Sequence, residues 1–277
     1  MMKGLHRTKK NIDYCYYSGD LIGREGYVLN LVTGCWHWDK VTFPGRCNIP
    51  CYARELVLHG RLKGSPSYPY GFEPTFHPER IRKIGGKPKL IFLNDMGDVG
   101  GKWKWRAIDD KYQQRHYATG QDVYYSTEDI AIYMKLFADL NPQHILLLLT
   151  KNPAWYALAD WPENVWCGFS ATNNEVFGER WLAIKQTGVK RNRMWVSLEP
   201  WLDWCHAPDG AVEDYFDWIV IGGLTGKMAS PGRAFGDNVV SWIQNFKQGR
   251  SRLFVKKNAR LTGTPTAEQY PAAWRIP

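Results

Sequence analysis

The sequence predicts an α/β protein whose strands lie mainly parallel, and three observations predict it. Short apolar runs alternate with helix-compatible segments along the 277 residues, as in successive βα units. One run, Ile145-Leu146-Leu147-Leu148-Leu149, is apolar throughout, as a strand covered on both faces would be. Polar residues stand immediately after nearly every run, which in a (β/α) barrel collects them at the C-terminal mouth, where that fold places its chemistry.

Taken in order, strands are expected over residues 27–32, 90–93, 144–149, 165–169, 194–198, 218–221 and 253–255. Helices are expected over 53–59, 127–139, 153–159, 175–187 and 238–247, and the Gly-, Lys- and Trp-rich segment 100–122 reads as an insertion or lid. The chain then divides into a basic N-terminal extension (1–25), a (β/α) barrel (26–257) and a C-terminal tail (258–277). The polar residues that follow the runs are Asn94, Asp95 and Asp98, then Thr150 and Lys151, then Ser170, Thr172, Asn173 and Asn174. Glu199-Pro200, Gly222-Gly223 and Lys256-Lys257 complete the series. A helix cap or a turn explains any one of these alone, but not their recurrence.

At 44% hydrophobic residues the chain can bury a substantial core. Six unevenly spread cysteines, with no secretory signal ahead of them, do not read as a disulfide framework. No apolar stretch approaches the roughly 18–20 residues that span a bilayer. These features predict a soluble protein of a reducing cytoplasm, with no membrane partner. The formal charge of +9 favours a polyanion, with basic residues gathered at 3–10, 83–89, 102–106, 185–193 and 250–260; a plain basic surface is the competing explanation. Fourteen Trp and 15 Tyr would suit base stacking, although most are expected in the core. No hydrolase triad, phosphate-binding loop or dinucleotide fingerprint is present.

Cys35, Cys47 and Cys51 fall within seventeen residues, directly after the first strand and before a helix-like segment. Three thiolates on one loop suit three corners of an iron–sulfur cluster, leaving the fourth iron open. Eleven residues separate Cys35 from Cys47 and three separate Cys47 from Cys51, with turns supplied by Gly34 and Pro44-Gly45. Two other readings stand beside this one: zinc with His37 as the fourth ligand, and three inert buried thiols. Cys15, Cys167 and Cys205 are isolated and read as core or surface thiols.

Several short motifs occur in order: T-G-C at Cys35, P-G-R-C at Cys47, C-Y-A at Cys51, F-E-P-T-F-H-P-E-R ending at Arg80, and F-L-N-D-M-G-D ending at Asp98. L-L-T-K-N-P, N-V-W-C-G-F-S, S-L-E-P-W-L and D-W-I-V-I-G-G follow. From about Thr33 to Lys257 this series resembles a radical-SAM-like family common in phages and prophages, itself similar to radical SAM enzymes such as spore photoproduct lyase. The resemblance implies a partial, TIM-like (β/α) barrel of the radical SAM type. It implies a [4Fe-4S] cluster on Cys35, Cys47 and Cys51, with S-adenosylmethionine on the fourth iron, reductive cleavage to a 5′-deoxyadenosyl radical, and hydrogen abstraction from substrate. The Cys spacing here departs from that family's shorter one, and the second gap bears directly on cluster geometry.

Within that resemblance, Asn94, Asp95 and Asp98 would bind the amino or ribose groups of S-adenosylmethionine, and Ser170 and Asn173 would reach the ribose hydroxyls. Gly222 and Gly223 would admit the adenine or the methionine backbone. Glu199 would orient the cofactor or act as acid or base on substrate, and Lys151 and Lys256 would meet phosphate or carboxylate at the rim. The expected substrate is a nucleic-acid base or modified nucleotide, such as a decorated thymine of phage DNA rearranged in the host cytoplasm. An external electron donor such as a flavodoxin would serve the cluster. The alternative is a zinc-stabilised nucleic-acid-binding protein without redox chemistry.

Overall fold

Seven parallel strands lie across the larger sheet in the order in which they occur in the chain. In the computed structural model, residues 5–7, 15, 18, 22–37, 51–108, 122–190, 193–200, 216–223, 251–256, 258 and 269–275 are described. The expected helix 238–247 and Cys47 lie outside them. The strands are β2 (Glu25–Leu29), β5 (Lys89–Leu93), β8 (Ile145–Thr150), β9 (Val165–Ala171), β10 (Met194–Leu198), β11 (Trp218–Ile221) and β12 (Arg252–Val255). The antiparallel strand β1 (Leu5–Arg7) flanks β2, so the basic extension supplies an edge of the sheet. Among the described residues the ladder is open between β1 and β12.

A second, four-stranded sheet runs β3 (Val32–Thr33), β4 (Thr75–Phe76), β6 (Trp105–Ala107) and β7 (Tyr124–Tyr125). Part of the 100–122 segment is therefore a strand, with Trp105 fully buried. The helices are α1 (Tyr52–Leu58), α2 (Thr127–Leu140) and α3 (Asn174–Lys185), and residues Pro153–Leu158 form a 3-10 helix where an ordinary helix was expected. Ser126 begins α2 with a reciprocal capping box to Asp129. Among the described residues no helix is long and apolar enough to cross a membrane.

The period-two alternation of the strands separates two apolar layers. Ile91, Leu146, Leu148, Val196 and Ile219 face one way and pack under Met134 and Phe137 of α2 and Phe177 and Trp181 of α3. Val28, Phe92, Leu147, Trp166, Trp195, Trp218 and Phe254 face the other way, joined by Tyr270 and Trp274 from the end of the chain. The segment 269–275 is thus part of the core, and Trp274 stands 4.7 Å from Trp166 and 4.8 Å from Trp218, ring to ring. Buried indole N–H groups need acceptors. Trp195 donates to the carbonyls of Leu148 and Trp166, and Trp218 to that of Gln269.

Cys15 joins this aromatic layer from the N-terminal segment, its backbone resting on Gly26 of β2. A Cβ at Gly26 would stand 1.7 Å from the Cys15 carbonyl oxygen, so only glycine fits there.

Candidate functional site

The loop after β2 is fixed by the end of β5. Asn94 adopts a left-handed backbone (φ 63°), and its side-chain oxygen accepts from the amides of Leu31 (2.8 Å) and Val32 (2.9 Å). The carboxamide of Asn30 answers in the other direction, donating to Asp95 (2.7 Å) and accepting from the Met96 amide (3.2 Å). Gly34 then turns with φ +71°, and an added Cβ would stand 2.3 Å from the Glu73 carbonyl oxygen, so only glycine fits. The turn delivers Cys35 into a pocket of Ala53, Val57, Tyr68, Phe72 and Met96.

Cys51 packs against the same pocket from the start of α1, where its Sγ accepts from the Arg54 amide at 3.4 Å. The two thiols are close enough to act on each other electrostatically. Burial pushes the Cys35 thiol up to about 12, against the pull of the Lys151 ammonium. As a free group it therefore stays protonated at neutral pH, and only a bound cation would make it a thiolate.

Beside the thiols lies Asp98, buried to 5% exposure. Its carboxylate accepts from the Gly100 amide (3.0 Å), the Thr150 hydroxyl (2.6 Å) and the Lys151 amide (2.9 Å), and faces His37 Nε2 at 3.1 Å. Burial alone would raise its pKa, but His37, Lys151 and Thr150 outweigh that and hold it well below the usual carboxylate range. The knot joins the ends of β5 and β8 to the cysteine loop. His37 is almost fully buried, in a T-shaped contact with Trp103 at 4.9 Å, and neither of its ring nitrogens makes an aligned hydrogen bond among the described residues, the Nε2–Asp98 approach being an ion-pair contact.

A second group stands on the aromatic face at the ends of β10, β11 and β12. Glu199 lies 2.6 Å from the Lys256 ammonium through Oε1 and accepts from the Ser197 hydroxyl at 2.8 Å through Oε2. Gly222 makes room for it, since a Cβ there would come within 2.3 Å of Oε1. Ser170 sits beside Ser197 in the β9–β10 register. Such a site sets a carboxylate and an ammonium side by side at the strand ends, groups of the kind that orient polar ligands.

Of the residues expected from the sequence, Cys35, Cys51, Asp98 and Lys151 come together, as do Glu199, Gly222 and Ser170. The Asn94 carboxamide is engaged within the scaffold, Asn173 caps α3 by accepting from the Val176 amide (3.0 Å), and Gly223 is clamped by the Asn258 carboxamide. Asp95 is half-buried, and burial raises its pKa despite the Asn30 bond. Ser197 was not singled out in the sequence; its signal is a lone hydroxyl at an inward position of the apolar run Met194–Leu198. Among the described residues no group of three or more His, Cys, Asp or Glu side chains is placed to hold a metal ion.

The sequence of residues 25–247 matches the model of one protein family, described as a protein of unknown function, DUF5131. The chain belongs to the DUF5131 family. The match covers β2 to β11 and therefore both the thiol pocket and Glu199. No curated protein and no solved structure matches the chain.

Proposed function

We propose that this DUF5131 protein is a radical SAM enzyme built on a partial (β/α) barrel and acting on a nucleic-acid base. The observation that carries the reading is the convergence of Cys35 and Cys51 in one apolar pocket where the parallel strands end. Cys35, Cys47 and Cys51 would hold a [4Fe-4S] cluster, and the donor chemistry fits: soft sulfur ligands in a water-poor pocket beside the cation of Lys151. When bound, the cluster would supply the electron that cleaves S-adenosylmethionine. The sequential order of the parallel strands suits the barrel reading.

The chain's own residues would bind, orient and exclude water. Lys256 and Ser197 fix both oxygens of Glu199, so this carboxylate meets a ligand in one orientation. The layer of Trp166, Trp195, Trp218 and Trp274 is buried beneath the mouth and keeps solvent from entering there. The substrate reading, a modified base of phage DNA in the host cytoplasm with a flavodoxin-type electron donor, rests on the motif resemblance and the charge of +9.

Anaerobic purification with iron, sulfide and zinc analysis tests this directly, with Cys47→Ala as control. About four irons per chain, lost in the control, is the expected result. A colourless protein with one zinc overturns it.

One observation favours that second outcome. Histidines that ligate zinc usually turn their other ring nitrogen to a carboxylate, and His37 Nε2 lies 3.1 Å from Asp98 as an ion-pair contact, while neither ring nitrogen makes an aligned hydrogen bond among the described residues. Under the zinc reading His37→Ala loses the metal as Cys35→Ala does; under the cluster reading it leaves the iron content unchanged.

A further inference from the structure

Each thiol of the pocket is followed in sequence by an aromatic ring that stays in solvent. Trp36, next to Cys35, is 36% exposed, and Tyr52, next to Cys51, is 51% exposed, although the pocket behind them is closed by buried side chains. Cys35 belongs to the apolar cluster on which Cys51 packs, so the two exposed rings stand at the edge of the same pocket.

Cations stand close by in sequence and packing. Trp103 packs on His37 and against the same cluster, and its neighbours Lys102 and Lys104 are both exposed. Exposed aromatic rings with cations near them suit the stacking of bases and the binding of their phosphates. An apolar protein surface would ask for contiguous apolar area, whereas Trp36 and Tyr52 are accompanied by Lys102 and Lys104. A polyanion without bases would need the ammonium groups alone.

We infer that Trp36 and Tyr52 form a stacking rim that receives an unpaired base of single-stranded DNA, with Lys102 and Lys104 on its phosphates. The choice of DNA rests on the substrate reading above; the rim itself rests on exposure and placement. A base stacked on these rings would stand over the thiol pocket, while a paired base in a duplex would present only its edge.

The test uses the full chain and fluorescence anisotropy with a labelled single-stranded oligodeoxythymidine, the same length of duplex, and heparin. Trp36→Leu and Tyr52→Leu keep apolar bulk and remove the aromatic face, and each is expected to weaken single-strand binding about tenfold. Heparin binding should be unchanged, and Trp36→Phe and Tyr52→Phe should restore the oligonucleotide affinity. Lys102→Gln and Lys104→Gln should weaken oligonucleotide and heparin alike and each lower the salt slope by about one. Leucine variants that bind the single strand as well as the parent, or lose heparin in equal measure, overturn the rim; so does a duplex bound more tightly than the single strand. The binding readout needs neither iron nor S-adenosylmethionine, so its failure is separate from a failed iron analysis.

Discussion

Two glycines on the aromatic face of the larger sheet show how the same missing methyl group serves different ends. At Gly168 a Cβ would lie 2.4 Å from the Trp195 indole, a rigid ring pinned by bonds to Leu148 and Trp166. At Gly222 it would meet Glu199 Oε1 at 2.3 Å, the far end of a flexible side chain. Overpacking against a ring that cannot move costs stability, whereas a carboxylate can rotate aside. Gly168→Ala should therefore destabilise the fold by about 1–3 kcal/mol in urea denaturation. Gly222→Ala should leave the urea midpoint nearly unchanged but pull Glu199 off Lys256. Under the proposed function it should lower 5′-deoxyadenosine release by about 10²-fold, the cost of a misplaced orienting group. Equal effects of the two on stability would contradict this division.

Helix α1 begins on a cysteine, and this separates two roles that are easily confused. Cys51 is both the N-cap, through the Arg54 amide, and one wall of the thiol pocket. Serine caps helices at least as well as cysteine, so Cys51→Ser should keep the melting curve within about 0.5 kcal/mol of the parent while abolishing iron binding. Collapse of the apoprotein in this variant would make Cys51 a structural thiol instead. The same element-level reading explains what the sequence disclosed. The apolar runs placed the larger sheet's parallel strands to within about three residues, the run 27–32 overshooting Leu29 into β3, because burial on both faces leaves a continuous signature. The two-residue strands β3, β4 and β7 are too short to show a period, and β1 (Leu-His-Arg) buries only Leu5, so none announced itself as a separate strand. Cys35 and Cys51 stood out from spacing together with Cys47, which lies outside the described residues. Asn173 read as a ligand-binding residue, yet its side chain caps α3, since polar residues after strands serve helices as often as ligands.

A second set of scaffold contacts laces the sheet at the end opposite its mouth. At the end remote from the thiols, Arg24 ties the Trp274 carbonyl (2.6 Å) to the Gln143 carbonyl (3.0 Å), and Asn141 binds the Ile84 amide at 2.6 Å. His144 lies in this lacing, fully buried, with Nδ1 accepting from the Lys89 amide (3.1 Å) and Nε2 facing the Ile84 carbonyl (3.2 Å). Nδ1 must be unprotonated to accept, so the ring is neutral in the native lacing. Burial holds its pKa below the ordinary value; the Ile84 carbonyl pulls the other way, and Lys89 and Arg24 add repulsion to the burial. An unfolded chain takes up this proton near pH 6.5 while the native one does not. The stability that depends on neutral His144 is therefore complete above about pH 6.5 and falls as the pH drops through its native pKa. Asparagine can keep the acceptor for the Lys89 amide without titrating. His144→Asn should accordingly lose less stability than the parent between pH 7.5 and 5.5, read as the difference in urea midpoints. Parallel losses in the two proteins would show that His144 already titrates as it does in water, and the acid sensitivity of the sheet would then have to come from its carboxylates.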